Sequence, residues 1–368
     1  MRNKLTTFLF LALLLGGALT GLFLPDKAYS ASEKRKLAQA PTASWRAIRS
    51  GQFGSDLESY LADQFPARDR WVTVKTITER VMGKRESGGV YFADDGYLID
   101  IHTAFYKKQL DTNIAAIRKL TESLAEDNIP VSVMLVPTAA CVLADKLPPY
   151  APNADQRAVI AYAKKQGLPI VDVTDALLAH KDEYLYYRTD HHWTSLGAYY
   201  AYAAWRESRG LDVAPLSDWT REVLCDNFRG TTYNKTEDPF AAYDTIEAYY
   251  KTLAHRVDYN GGYQITDSIY ERSFLEGTNQ YGVFLNSNQS TTVVFSKGKG
   301  KLLIIKDSYA NTFAQFAIED YAETHLIDMR FFRGSVLNYI RKNGITEVLV
   351  LYNAPNATTD ADLARVGR

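Results

Sequence analysis

Leu302-Leu303-Ile304-Ile305-Lys306-Asp307-Ser308-Tyr309-Ala310-Asn311 reads as a short strand, a turn and the approach to a helix that starts near Thr312. Four consecutive aliphatics between polar flanks describe a strand buried on both faces, as in a parallel sheet. Ser308 then stands at a strand-to-helix turn, the carboxyl edge where α/β sheets place their sites. Helix N-terminal amides at such an edge carry partial positive charge and can stabilise an oxyanion. A serine hydroxyl is a poor nucleophile until a base takes its proton. Capping the following helix is the plainer reading of this stretch alone.

The same rhythm extends along the chain. Short apolar runs at Val131–Val136, Leu168–Val173, Leu326–Met329 and Glu347–Tyr352 join Leu302–Ile305 as five strand candidates. Helical patterns over about 112–127, 154–166, 312–322 and 335–342 separate them. The expected class is therefore α/β, a five-stranded parallel sheet flanked by helices. Residues 215–300 break the rhythm and read as a mixed α/β insertion with antiparallel strands beside the sheet. Upstream, 51–83 reads as two helices broken at Pro66. Residues 88–98 read as a β-hairpin with Asp95-Gly96 at its tip.

Composition sets outer bounds. A chain of 368 residues that is 46% hydrophobic can bury a large core. A net charge of −1 gives no reason to expect nucleic acid as a partner. The 25 tyrosines suit carbohydrate surfaces and equally fill large α/β cores. Cys141 and Cys225 form no disulfide framework and match no zinc ligand spacing, though a single bridge stays open in an exported chain. Arg2 and Lys4 precede an apolar run from Leu5 to Leu24, about 20 residues, which suffices to span a bilayer. Ala28-Tyr29-Ser30 offers a cleavage site, so the segment is a signal peptide or an uncleaved anchor. Either way the rest of the chain is expected outside the cytoplasm, secreted or held to the cell membrane, with Lys34, Arg35 and Lys36 slightly opposing that orientation.

The second chemical stretch is Thr189-Asp190-His191-His192-Trp193-Thr194. In an extended turn alternate residues share a side, so Asp190 can hold one imidazole nitrogen of His192 and leave the other for a serine. His191 is expected to face away, and Trp193 to pack the turn. A metal site built from Asp190, His191 and His192 lacks further ligands at suitable spacing, and surface histidines before a helix are a second bland reading.

Asp190-His191-His192-Trp193 resembles the signature of the DHHW proteins, a bacterial group related to the SGNH hydrolase-like polysaccharide O-acetyltransferases of the alginate O-acetylation type. Further motifs resemble the family in matching order: Glu33-Lys34-Arg35-Lys36-Leu37-Ala38 with Pro41, Asp63-Gln64-Phe65-Pro66-Ala67-Arg68, Asp95-Gly96-Tyr97-Leu98, Val136-Pro137-Thr138, Phe228-Arg229-Gly230-Thr231 and Lys306-Asp307-Ser308-Tyr309. The resemblance implies a permuted SGNH, flavodoxin-like fold. It implies a triad of Ser308, His192 and Asp190, with Asn353, Arg330 and Tyr309 as oxyanion or substrate candidates. Together with the N-terminal reading it divides the chain into a signal or anchor over 1–30, a polar stalk over 31–50 and an SGNH-like catalytic domain over 51–368 with the insertion at about 215–300. It also implies a polysaccharide acceptor and an acetyl donor delivered by a membrane O-acyltransferase, with no metal and no cofactor. An esterase with the same triad, or a non-catalytic glycan-binding or assembly protein, would satisfy the same residues. One departure stands out, since Lys306 occupies the place of the usual glycine before Asp-Ser.

Overall fold

The computed structural model describes residues 2–30 and 35–368, so Glu33 and Lys34 of the stalk motif lie outside the described residues. The chain divides into two compact units, residues 1–88 with 234–240, and residues 89–233 with 241–368. Residues 51–88 thus cluster with the N-terminal unit.

In the first unit, α1 (Arg2–Phe23) is long and apolar enough over Lys4–Gly21 to cross a membrane. Strands β1 (Tyr29–Ser30) and β2 (Arg35–Lys36) pair antiparallel behind it. Helices α2 (Trp45–Arg49), α3 (Gln52–Asp63) and α4 (Arg68–Val81) and the short β3 (Glu86–Ser87) follow. The break expected at Pro66 falls between α3 and α4, because proline lacks the N–H that would continue a helix.

The second unit begins with the expected hairpin, β4 (Val90–Phe92) and β5 (Leu98–Asp100), closed by a turn over Asp94–Gly96. Its further strands are β6 (Val131–Val136), β7 (Thr220–Phe228), β8 (Asp244–Tyr250), β9 (Arg256–Tyr259), β10 (Gln264–Thr266), β11 (Thr291–Phe295), β12 (Lys301–Lys306), β13 (Glu323–Asp328) and β14 (Glu347–Asn353). Its helices are α5 (Lys107–Glu126), α6 (Ala139–Val142), α7 (Gln156–Lys165), α8 (Thr174–Ala179), α9 (Ser195–Glu207), α10 (Thr231–Thr236, which runs on into the first unit), α11 (Ala310–Ala317), α12 (Val336–Asn343) and α13 (Ala354–Thr359).

Seven strands form one sheet in the order β10-β9-β11-β13-β12-β14-β6. The run from β13 to β6 is parallel, and β11, β9 and β10 extend it antiparallel. This corrects the expectation of five parallel strands. Leu168–Val173 touches the sheet only through a parallel bridge of Ile170 to Val133. Pro169 has no N–H to give a ladder, and Asp172 turns the chain by accepting from the Thr174 amide. Of the insertion's strands, β9, β10 and β11 form this antiparallel edge, while β7 and β8 form a separate pair.

Alternation along β12 builds two cores. Leu303 and Ile305 pack with Ile327, Val348 and Val350 on the face covered by α5, α7 and α12. Leu302 and Ile304 face the other way, with Trp193, Tyr202 and Phe313. Each such fully buried aliphatic contributes about 1.5–3 kcal/mol. Lys306, continuing the second face, is buried as well. Cys141 and Cys225 are both free thiols rather than the bridge left open from sequence.

Candidate functional site

β12 ends at Lys306, and α11 begins at Ala310 with Tyr309 as its N-cap. Ser308 therefore sits in the connecting turn and does not cap the helix. Asp307 anchors this turn. One of its oxygens accepts from the Tyr309 amide at 2.9 Å. The other accepts from the Asn353 amide and side chain, both at 2.9 Å, and from Asn356 Nδ2 at 2.8 Å. Burial alone raises the Asp307 pKa, and these donors oppose that rise.

The histidine stretch forms a turn before α9, whose N-cap Thr194 accepts from the Gly197 amide. Asp244 fixes the turn by accepting from the Arg188 and Thr189 amides and the Thr189 hydroxyl. Trp193 is buried and joins the two halves of the site, its Nε1 donating to the Tyr309 carbonyl at 2.9 Å.

Within this frame Asp190, His192 and Ser308 come together, with relative exposures of 3%, 4% and 8%. His192 Nδ1 lies 2.5 Å from Asp190 Oδ1, and His192 Nε2 lies 2.7 Å from Ser308 Oγ. The other Asp190 oxygen accepts from the Thr231 amide at 2.7 Å and hydroxyl at 3.0 Å. The carboxylate is thus held from both sides. A base flanked by an orienting carboxylate and a serine hydroxyl, all at hydrogen-bond distance, is an arrangement that can activate the hydroxyl. Among the described residues, the Ser308 N–H donates no hydrogen bond.

The other expected residues land differently. Asn353 spends its side chain on Asp307 and on capping α13 through the Asn356 amide. Arg330 grips Asp328 through Nε at 2.9 Å and Nη2 at 2.5 Å. Tyr309 is buried, its hydroxyl bonded to the His191 carbonyl. His191 does not face away, because its ring lies 3.8 Å from that of His192 and its Nδ1 meets Thr231 Oγ1 at 2.5 Å. Ligand atoms of Asp190, His191 and His192 gather within 4.8 Å, but most of them are already spent on one another, on Thr231 and on Ser308.

Two site residues escaped the sequence reading. Tyr281, from the insertion, stacks on His192 with ring centroids 3.8 Å apart and planes 9° apart, and donates to the Ser308 carbonyl at 3.0 Å. Burial holds its hydroxyl protonated, well above the usual tyrosine pKa. Thr231 lies in the motif Phe228-Arg229-Gly230-Thr231, which is its signal in the sequence. Beside Asp190 opens a cavity lined by Ile99, Asp100, His191 and Asn353 among others.

Residues 92–208 match the family described as SGNH hydrolase-like domain, acetyltransferase AlgX. The chain is similar to a DHHW family protein from Eubacterium siraeum at 28% identity and a TM-score of 0.67, covering 76% of this chain and 95% of that one. The chain is thus related to the DHHW proteins and to the SGNH hydrolase-like acetyltransferases. Its fold is also shared by Bacillus cereus PatB1, at 20% identity and a TM-score of 0.62, over 73% of this chain and 97% of that one. PatB1 solved with a sulfonyl adduct gives 18% identity and a TM-score of 0.63, over 74% and 97%. No curated protein matches the chain in sequence.

Proposed function

We propose that the protein transfers an acetyl group from an ester donor to a hydroxyl of a polysaccharide outside the cytoplasm, through Ser308, His192 and Asp190. The carrying observation is the unbroken line from Asp190 Oδ1 through the His192 ring to Ser308 Oγ. The match to an acetyltransferase domain supports the choice of reaction. Ser308 Oγ attacks the donor carbonyl and its proton passes to His192 Nε2. The leaving alkoxide takes that proton, and acetyl-Ser308 remains. An acceptor hydroxyl then gives its proton to His192 and attacks the acetyl carbon, restoring Ser308. Asp190 stays ionised and holds the Nδ1–H tautomer. The free Ser308 N–H is the oxyanion donor in this reading. Asn353 serves by fixing Asp307, and Arg330 offers the substrate its remaining Nη1 edge. No metal or cofactor enters the scheme. Water in place of the sugar would make the protein an esterase.

We further read α1 as a retained anchor, with the acetyl supply coming from a membrane acyltransferase. Gln64 embraces the Lys27 backbone, accepting from its N–H and donating to its carbonyl, both at 2.9 Å. Tyr60 donates to Asp26 at 3.0 Å, and the Phe65 ring occupies the space over Gly17. Cleavage after Ser30 would strip all three residues of these partners.

The test uses phenylmethylsulfonyl fluoride and an acetyl ester. Mass spectrometry should place a single sulfonyl or acetyl group on Ser308, and Ser308→Ala or His192→Ala should abolish it. Label on another residue, or unchanged ester turnover in Ser308→Ala, would refute the mechanism. Adding candidate glycans separates transferase from esterase by whether acetate or acetylated sugar is released.

A further inference from the structure

We infer that Lys306 is a positioning residue for the Ser308 centre, acting through Asn288 to seat the segment 281–288 over His192 and Ser308. The argument starts from the segment's backbone. Leu285, Asn286 and Ser287 have φ values of 55°, 53° and 65°, three consecutive left-handed residues of which none is glycine. Each such residue costs on the order of 1 kcal/mol, so the conformation persists only where its surroundings hold it. Part of the hold is internal to the insertion. The Leu285 amide donates to the Ile269 carbonyl, the Ser287 amide to the Gly282 carbonyl, and Asn286 Nδ2 to Gln264 Oε1.

The link to the nucleophile's own elements is Asn288. Its Oδ1 accepts from Lys306 Nζ at 3.2 Å, at the end of β12, and from Asn311 Nδ2 at 3.4 Å, in the first turn of α11. Ser308 lies between these two donors in sequence. Seven residues before Asn288, Tyr281 stacks on His192 and binds the Ser308 carbonyl. The segment therefore touches the dyad at one end and is latched by an ammonium group at the other.

That ammonium is costly to keep. Lys306 is 2% exposed, and its charged neighbours are Asp328 at 3.8 Å, Asp307 next in the chain and Arg330 on the rim of β13. Arg330 already holds Asp328 through two hydrogen bonds, so Lys306 is left with a shared counter-ion. Burial pushes the Lys306 pKa down from 10.5 to about 8, against the pull of Asp328. Hydrogen bonds from a charged donor are about twice as strong as neutral ones, so loss of the proton weakens the latch.

Two signs separate this role from plain structural support. The unfolded chain keeps the lysine proton up to about 10.5, so between about 8 and 10.5 it binds more protons than the folded chain. Global stability owed to this group therefore rises with pH across that window. The latch weakens over the same window. A lysine that merely filled space would not loosen 281–288 as the fold gains stability.

The experiment is hydrogen exchange of peptides covering 280–290 in the full chain, between pH 7 and 9.5 and corrected for intrinsic rates. It needs no activity, so it stands apart from the catalytic reading above, on which the site's purpose rests. Wild type should exchange about tenfold faster in this segment above pH 8, as expected from losing a hydrogen bond to a charged group. Asn288→Ala, at a half-buried position that spares the core, should be fast at every pH. Lys306→Met should behave alike if it folds. Exchange indifferent to pH in wild type, or unchanged in Asn288→Ala, overturns the proposal. Loosening of the segment in a chain that never acylates Ser308 would uphold the latch and sink the proposed function.

Discussion

Gly230 is where one methyl group decides the site. A Cβ there would fall 2.2 Å from Asp190 Oδ2 and 2.3 Å from Asp190 Cβ, distances no relaxation of Asp190 can absorb while it stays bonded to His192. The glycine lets the Thr231 amide approach the carboxylate directly. Gly230→Ala should push Asp190 off His192 Nδ1 and lower acetyl-ester turnover about 100-fold, the usual scale for an ångström of misplacement. Overpacking should cost about 1–3 kcal/mol of stability. Turnover at the wild-type rate, with a folded protein, would remove Gly230 from the site. This residue was within reach of sequence reading, because Phe228-Arg229-Gly230-Thr231 was singled out, but its target was not. Nothing local says that a glycine at 230 must make room for an aspartate at 190. Tyr281 is harder still, since it sits in a short turn without periodicity and meets His192 only through the fold.

At the scale of elements, α11 joins the Ser308 turn to the insertion. Beyond its C-terminal end Glu319 accepts from the Thr252 amide at 2.9 Å and lies 3.3 Å from His255 Nε2. Burial alone would lower the His255 pKa, but the carboxylate overrides it and the net shift is upward from 6.5. A raised folded pKa means stability that is fully present below 6.5 and is lost as pH rises through the folded value. Thermal unfolding should therefore show Tm falling across the near-neutral range. Glu319→Gln should flatten that dependence and lower Tm at pH 6 by roughly 1–2 °C, as about 1 kcal/mol does in a chain of this size. A dependence identical to wild type would show that the pair carries no linkage. Most elements are legible from pattern: β6, β12, β13 and β14 lie where apolar runs predict strands, and α5, α7, α11 and α12 where the helical spacing falls. Leu168–Val173 misled because an apolar run of that length is equally satisfied by burial without a ladder. The antiparallel strands of the insertion are legible only as a region, because β9 and β10 are short and carry Arg256, Asp258 and Gln264, which dilute the alternation.

At the scale of the molecule, the first unit turns on the fate of α1. If the helix is retained, the full chain expressed in a bacterial host should stay in the membrane fraction after a carbonate wash. Its intact mass should include residues 2–30. Gln64→Ala should lower the melting temperature of the detergent-solubilised protein, since it removes both bonds to Lys27. A mature N-terminus at residue 31 would refute the anchor.

All eight residues of α11 are buried, so the helix that follows Ser308 has no face toward water. Most helices shed their exposed side first when a protein warms. This one has none to shed, and the Trp193 bond ties its start to the histidine turn. Ser308 should therefore ride on a part of the second unit that opens late. Its reactivity should persist up to the melting transition, so the temperature of half-inactivation and the unfolding midpoint should coincide, and a reporter on Ser308 would serve as a gauge of global integrity.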